Sequence, residues 1–221
     1  MNVLLSPTGQ SQLSQLKAAN NLPLTRLDAK SQALSTKKGL VDGADKAVEA
    51  LKTSLTALKS ANATLSPAAT ADFIQKFNSL QAALKSQTAK GTVLSSVSVV
   101  RQVRSELRSP FQSQNVLDGL KAAGIATTQD GLVATSSPTA VAMDDATYTS
   151  MLDNLTKLST KLSHESDGEA AQLATITKQR ARTQIFVDRT NVRTETNFLK
   201  MYNVMQNLTS STGTALINSL G

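Results

Sequence analysis

Leu27, Leu34, Val41, Val48 and Leu55 recur every seven residues, and Ala44, Leu51 and Leu58 fill the complementary heptad position. A sustained 3-4 alternation of this kind keeps one narrow apolar stripe on a helix and requires a second helix to cover it. The chain therefore carries a coiled-coil seam through Leu27, Leu34, Val41, Val48, Leu51, Leu55 and Leu58. Its first two heptads are weaker, because Lys30 and Lys37 stand at the second position and Gly39 and Gly43 lower helix propensity nearby. A bend or loosening is expected near Gly39 to Gly43. Pro23, suited to a first helical turn, is the predicted start of this helix, and the Ser-, Gln- and Asn-rich residues 1–22, with Leu13 and Leu16, have a composition compatible with disorder.

The rest of the chain repeats apolar residues at helical spacing with one exception. Ser66 and Pro67 open a second helix with Phe73, Phe77, Leu80 and Leu84 on one face, and the short connection predicts that it runs antiparallel to the first. A third helix, with Ser96 as a candidate cap, places Val97, Val100 and Leu107 on one stripe and Arg101, Arg104 and Arg108 beside it, and Pro110 ends it. Asn115 is the candidate cap of a brief helix through Leu120. The exception is "LKAAGIATTQDGLVATSS", residues 120–137: Gly124 ends a helix and Asp130-Gly131 fits a two-residue turn, so Ile125 to Gln129 and Leu132 to Ser136 are predicted hairpin arms. An isolated hairpin is marginal, so this one must pack on helices or pair elsewhere.

Asp144-Asp145 favours the positive end of a further helix with Tyr148, Leu152, Leu155 and Leu162 on one face. Ser166 and Glu169 have capping-box spacing, which predicts that a separate final helix begins there, and Gly213 is expected to interrupt it. The expected fold is mainly α: an elongated helical bundle with long N- and C-terminal coiled-coil helices and a small β-hairpin. Residues 1–40 and 175–221 form the predicted terminal helical domain, and 41–174 a rod-like inner domain with the hairpin near 125–136.

Chemistry for catalysis is sparse. Without cysteine, thiolate catalysis, disulfides and cysteine-bound metal are excluded. The single histidine, His164, lies in the polar "LSHESDG" segment, read as a turn that leaves it solvated, and the glycines form neither a phosphate loop nor a dinucleotide fingerprint. A non-enzymatic protein without cofactor or metal is the expectation. The formal charge of +7 raises nucleic acid as a partner, but the densest basic cluster, Lys178, Arg180 and Arg182, has no base-stacking aromatics beside it and reads as a solvated helix face. No apolar run approaches the roughly 18 residues of a membrane span, and "MNVLLSPTGQ" lacks the pattern of a cleaved secretory signal.

The order of four stretches resembles the flagellar filament cap family, also called flagellar hook-associated protein 2, in a minimal form with "LSPAAT" where the variable outer domains stand. "LPLTRLDAKSQALSTKKGL" is similar to the family's early helix, and "ADFIQKFNSLQAALKSQTA" to the helix that resumes after the outer domains. "KGTVLSSVSVVRQVRSELRSPF" followed by "LKAAGIATTQDGLVATSS" is similar to its basic helix and Gly-Ile, Asp-Gly, Leu succession. "ETNFLKMYNVMQNLTSSTGTALINSLG" is similar to its terminal helix.

The resemblance implies a structural protein exported without a cleaved signal peptide and placed outside the cell at the distal tip of the bacterial flagellar filament. There a homo-oligomer would promote insertion and polymerisation of flagellin, with hook-associated junction proteins and an export chaperone as further partners. Nucleic acid and membrane insertion are not expected. Phe198, Leu199, Tyr202, Met205, Leu208, Leu216, Ile217 and Leu220 are the candidate contacts with neighbouring subunits. The alternatives are another axial protein of type III export, such as a hook-filament junction, flagellin-like or needle-tip subunit, and a cytosolic basic coiled-coil protein associated with nucleic acid.

Overall fold

The computed structural model describes residues 5–60, 67–95, 97–129, 131–135 and 143–219, with side chains as far as residue 209. The elements run α1 (Pro7–Ser60), α2 (Pro67–Gln87), α3 (Ser98–Glu106), a 3-10 turn over Ser109–Gln112, α4 (Gln114–Ala122), β1 (Ile125–Thr127), β2 (Leu132–Ala134) and α5 (Asp145–Ser219). The fold is mainly α, with long α1 and α5 packed together and one small antiparallel sheet. The chain divides into two compact units, residues 1–32 with 174–221 and residues 33–173, and α1 and α5 contribute to both.

In the unit of residues 33–173 the heptad stripe is core. Val41, Val48, Leu51, Leu55 and Leu58 are buried among Phe73, Phe77, Leu80 and Leu84 of α2 and Met151, Leu155, Leu158 and Leu162 of α5. Thr56 meets Tyr148 while Asp45 meets Ser159, so α1 and α5 run antiparallel here. Ser54 binds Lys76, and Ala47 and Ala50 share a groove with Ser79 and Ala83, so α2 also runs antiparallel to α1. Val100, Val103 and Leu107 anchor α3, and Phe111 sets its ring edge-on to Phe77 at 5.2 Å.

The hairpin pairs Ile125 with Ala134, Ala126 with Val133 and Thr127 with Leu132. Gly124 ends α4 at φ +74°, and Gly131 enters β2 at φ +150°, both conformations that a Cβ disfavours. Alternation then buries Ile125 and Leu132 in the common core. Asp130, Ser66 and Ser96, expected in the turn and at two caps, lie outside the described residues.

Several expected boundaries are corrected. Helix α1 begins at Pro7, and Pro23 lies inside it. An internal proline removes one hydrogen bond and crowds the preceding turn, at a cost of about 3 kcal/mol; pairing with α5 along this stretch offsets that cost. The helix continues through Gly39 and Gly43. Ser113, not Asn115, stands at the cap position of α4. Ser166 and Glu169 start no helix, because α5 is continuous from Asp145 to Ser219, through Gly213 as well. Both face α1 instead: Ser166 donates to Asp42, and Glu169 accepts from Lys37.

The Asp144 expectation holds. Its Oδ1 accepts from the Thr147 N–H at 2.8 Å and its Oδ2 from the Thr147 hydroxyl at 2.7 Å, capping α5. These bonds, the hydroxyl's first, hold the Asp144 carboxyl below its ordinary value.

Candidate functional site

The unit of residues 1–32 and 174–221 differs from the other in what its seam is made of. Its buried apolar side chains are few: Leu13 and Leu24 on α1, and Ile176, Val187 and Phe198 on α5. Polar pairs fill the intervals. Lys17 binds Glu195 at 2.6 Å, Asn20 donates to Asn191 at 3.0 Å and Thr194 at 3.1 Å, and Arg180 binds Asp28 at 2.5 Å. Partner numbers fall on α5 as they rise on α1, so the pair is antiparallel. Hydrogen bonding to Arg180 lowers the Asp28 carboxyl from its ordinary value, and Asp28 in turn raises Arg180. Since these ion pairs are exposed, their net contribution is small.

Ser6 ends the described part of this pairing. Its backbone N–H donates to the Tyr202 hydroxyl oxygen at 3.1 Å, and hydrogen bonding to Ser6, its side chain first and its backbone second, lowers the phenol from its ordinary value. Tyr202 is half-buried and stacks on Phe198, ring centroids 6.3 Å apart. Phe198, expected at a contact with a neighbouring subunit, is 7% exposed and buried within its own chain. Leu199 is half-buried.

Met205 and Leu208 are exposed, and Met201 and Val204 join them at i, i+3, i+4 and i+7 spacing, each 57–60% exposed. This stripe reaches past Tyr202, opposite which the described part of α1 ends. Leu216 and Ile217 follow on the helix, but their side chains are outside those described, and Leu220 lies outside the described residues. Leu27 of this unit is half-buried; in the other unit Leu34 is half-buried as well, whereas Val41, Val48, Leu51, Leu55 and Leu58 are buried.

Farther back on α5, Ile185, Phe186 and Val192 are also exposed, Phe186 by 69%. They stand among exposed Lys178, Arg182, Arg189, Arg193 and Lys200, whose intervals of four and seven residues keep them on one side of the helix. The seam residues Ile176, Val187 and Phe198 occupy the other side. The outward row was missed in the sequence, although its spacing was legible: residues halfway round the helix from Val187 belong to a second stripe.

Two further placements bear on chemistry. His164, expected in a turn, instead lies within the continuous helix α5, where it is exposed. Among the described residues no three His, Asp or Glu side chains come together as a metal site, and no helix is long and apolar enough to cross a membrane. No family model matches the chain, and neither a curated protein nor a solved structure matches it.

Proposed function

We propose that the chain is a structural, non-enzymatic subunit that caps the distal end of the bacterial flagellar filament, where copies of it promote flagellin insertion and polymerisation. The observation that carries the assembly role is the exposed stripe Met201, Val204, Met205 and Leu208, which reaches past Tyr202. Apolar side chains at helical spacing on a surface are stabilised by burial against another helix, and a second copy supplies one. The order of the four sequence stretches supports the narrower assignment to a filament tip. Export without a cleaved signal peptide, contact with hook-associated junction proteins and an export chaperone belong to the same proposal.

Electron microscopy of cells lacking the gene, with an assay of flagellin in the medium, tests it. Missing or stunted filaments with monomeric flagellin released are the expected outcome. Normal filaments with flagellin retained overturn the cap role.

One observation favours a second reading. The row Lys178, Arg182, Arg189, Arg193 and Lys200 would suit phosphates, as in a nucleic-acid-associated helix. Retention on nucleic acid that falls steeply with salt would bring that reading forward; the cap reading expects weak, non-specific retention.

A further inference from the structure

The other unit contains a groove with an unusual charge balance. Gln81 and Lys85 of α2 line one side, and Arg101, Arg104, Ser105 and Arg108 line the other, around a volume of about 390 Å³. Four cations and no carboxylate face it. Elsewhere in this unit Lys37, Lys38, Lys52, Lys59, Lys76 and Lys161 form ion pairs, while the scattered Lys46, Lys90, Lys121 and Lys157 are not drawn together in one groove. None of Lys85, Arg101, Arg104 or Arg108 forms an ion pair among the described residues. Glu106, the nearest acid in sequence, is committed to Lys161 at 2.6 Å.

The arrangement follows from two helical stripes. Val100, Val103 and Leu107 sink into the core at i, i+3 and i+7. Arg101, Arg104 and Arg108 have the same spacing one residue on, so the buried stripe fixes the direction of the basic one. Neutral acceptors then hold two of the arginines without cancelling their charge. Arg104 donates to the Thr88 hydroxyl at 3.3 Å, and Arg108 donates to the Gln129 carbonyl oxygen, just before the hairpin turn, at 2.5 Å. Each guanidinium has five N–H donors, so most of them remain for a ligand.

The geometry points to a binding site for a compact, multiply charged phosphate-type anion in the groove between α2 and α3. Planar guanidinium forks take oxyanions two oxygens at a time. A carboxylate presents one such edge and fills one fork, whereas linked phosphates present oxygens in several directions and can engage three forks and Lys85 together. Like charges at i, i+3 and i, i+4 repel one another along this face, and a bound polyanion relieves that repulsion. Pockets for small ligands start at about 300 Å³, so the volume suits a ligand of this size. The site is independent of the filament role and would be read on the purified chain.

The test is calorimetric titration of the full chain with inorganic tripolyphosphate at constant ionic strength. Three double variants are compared, each checked for helical content: Arg101→Gln/Arg104→Gln, Arg101→Lys/Arg104→Lys and, as a surface control, Lys121→Gln/Lys157→Gln. Binding should weaken at least tenfold in the glutamine groove variant, several-fold in the lysine variant, and less than twofold in the control. Absence of binding to the parent chain overturns the site. Equal weakening by groove and control variants reduces it to diffuse charge, and full binding by the lysine variant overturns the fork geometry. Tighter binding of hexaglutamate, lost in the same groove variants, overturns the phosphate assignment in favour of an acidic protein partner.

Discussion

Asn78 on α2 grips Leu132 on β2 by both of its backbone groups: the Asn78 amide donates to the Leu132 carbonyl oxygen at 2.8 Å, and its own oxygen accepts the Leu132 N–H at 2.9 Å. A side chain thus supplies the pairing that a third strand would otherwise give this edge. A two-stranded hairpin is marginal alone, and here a helix completes it. Gly131 is part of the same arrangement, because a Cβ at that position would fall inside contact distance of Asn78 Oδ1.

Asn78→Ala removes both bonds and leaves the Leu132 groups to water or to nothing. At about 1 kcal/mol per bond, and more where the group stays buried, the expected loss is about 2–3 kcal/mol. Amide exchange is the direct measurement. Protection of Leu132 should fall strongly, while that of Val48 and Leu55 in the α1 core changes little.

The hairpin and the strong heptads were legible because their signals are local. Val41 to Leu58 repeats without a polar interruption at either seam position, and Gly124 and Gly131 mark conformations that few other residues accept. The first third of α1 was not legible, because its order depends on partners far along the chain. Ser6 meets Tyr202, 196 residues away, and Asn20 meets Asn191 and Thr194. Of the two leucines before Pro23 noted there, Leu13 is buried and Leu16 is exposed, so they form no recognisable stripe. Ser166 and Glu169 misled for a related reason. Hydroxyl and carboxylate side chains at that spacing serve a helix start or a polar seam equally well, and only the opposing Asp42 and Lys37 decide between them.

That polar seam makes its own prediction. Lys37 binds Glu165 at 3.0 Å and also Glu169, whose residue exposure is 1%. Removing one partner of a buried pair costs about 3–5 kcal/mol, because the other charge is left unmatched. Lys37→Leu should approach the lower end of that range, since Glu165 remains half-exposed. Lys37→Leu with Glu169→Leu should regain most of the loss, by the balance between desolvation and attraction. Denaturant unfolding of the single and double variants measures both.

The same lysine sets an alkaline dependence. Burial pulls the Lys37 ammonium down, but hydrogen bonds to Glu169 and Glu165, together with their charges, outweigh it and raise the group above its ordinary 10.5. A raised lysine contributes its full stabilisation below the ordinary value and loses it as pH rises through the folded-state value. Stability of the parent chain should therefore fall more steeply above pH 10.5 than that of Lys37→Leu, as read by unfolding at successive alkaline pH values.

The α5 cap behaves in the opposite direction. Asp144 is held below its ordinary 3.8 by the Thr147 hydroxyl and N–H, so its contribution is present above that value and is lost as pH falls through the lowered one. Asp144→Ala should cost about 1 kcal/mol near neutral pH. Asp144→Asn keeps an acceptor for the Thr147 N–H and should lose less, but without the acid-dependent component. Thermal unfolding of the three chains at neutral pH and below pH 3.8 separates the cap from its charge.

The assembly surface gives the sharpest contrast between neighbouring residues. Met205 and Leu208 are exposed, while Phe198, two turns earlier on the same helix, is buried. Burying a large apolar side chain contributes about 1.5–3 kcal/mol. Met205→Asp with Leu208→Asp should therefore weaken self-association by about two to four orders of magnitude, at 1.4 kcal/mol for each factor of ten. Helical content should be preserved, because neither side chain supports its own chain's seam. Phe198→Asp should instead unfold the terminal pair and lower helical content before any effect on assembly is read. Sedimentation velocity across a concentration series, with circular dichroism on the same samples, distinguishes the two. An aspartate pair at 205 and 208 that self-associates like the parent chain would show that the interface between copies lies elsewhere, with the outward row around Phe186 the next surface to alter.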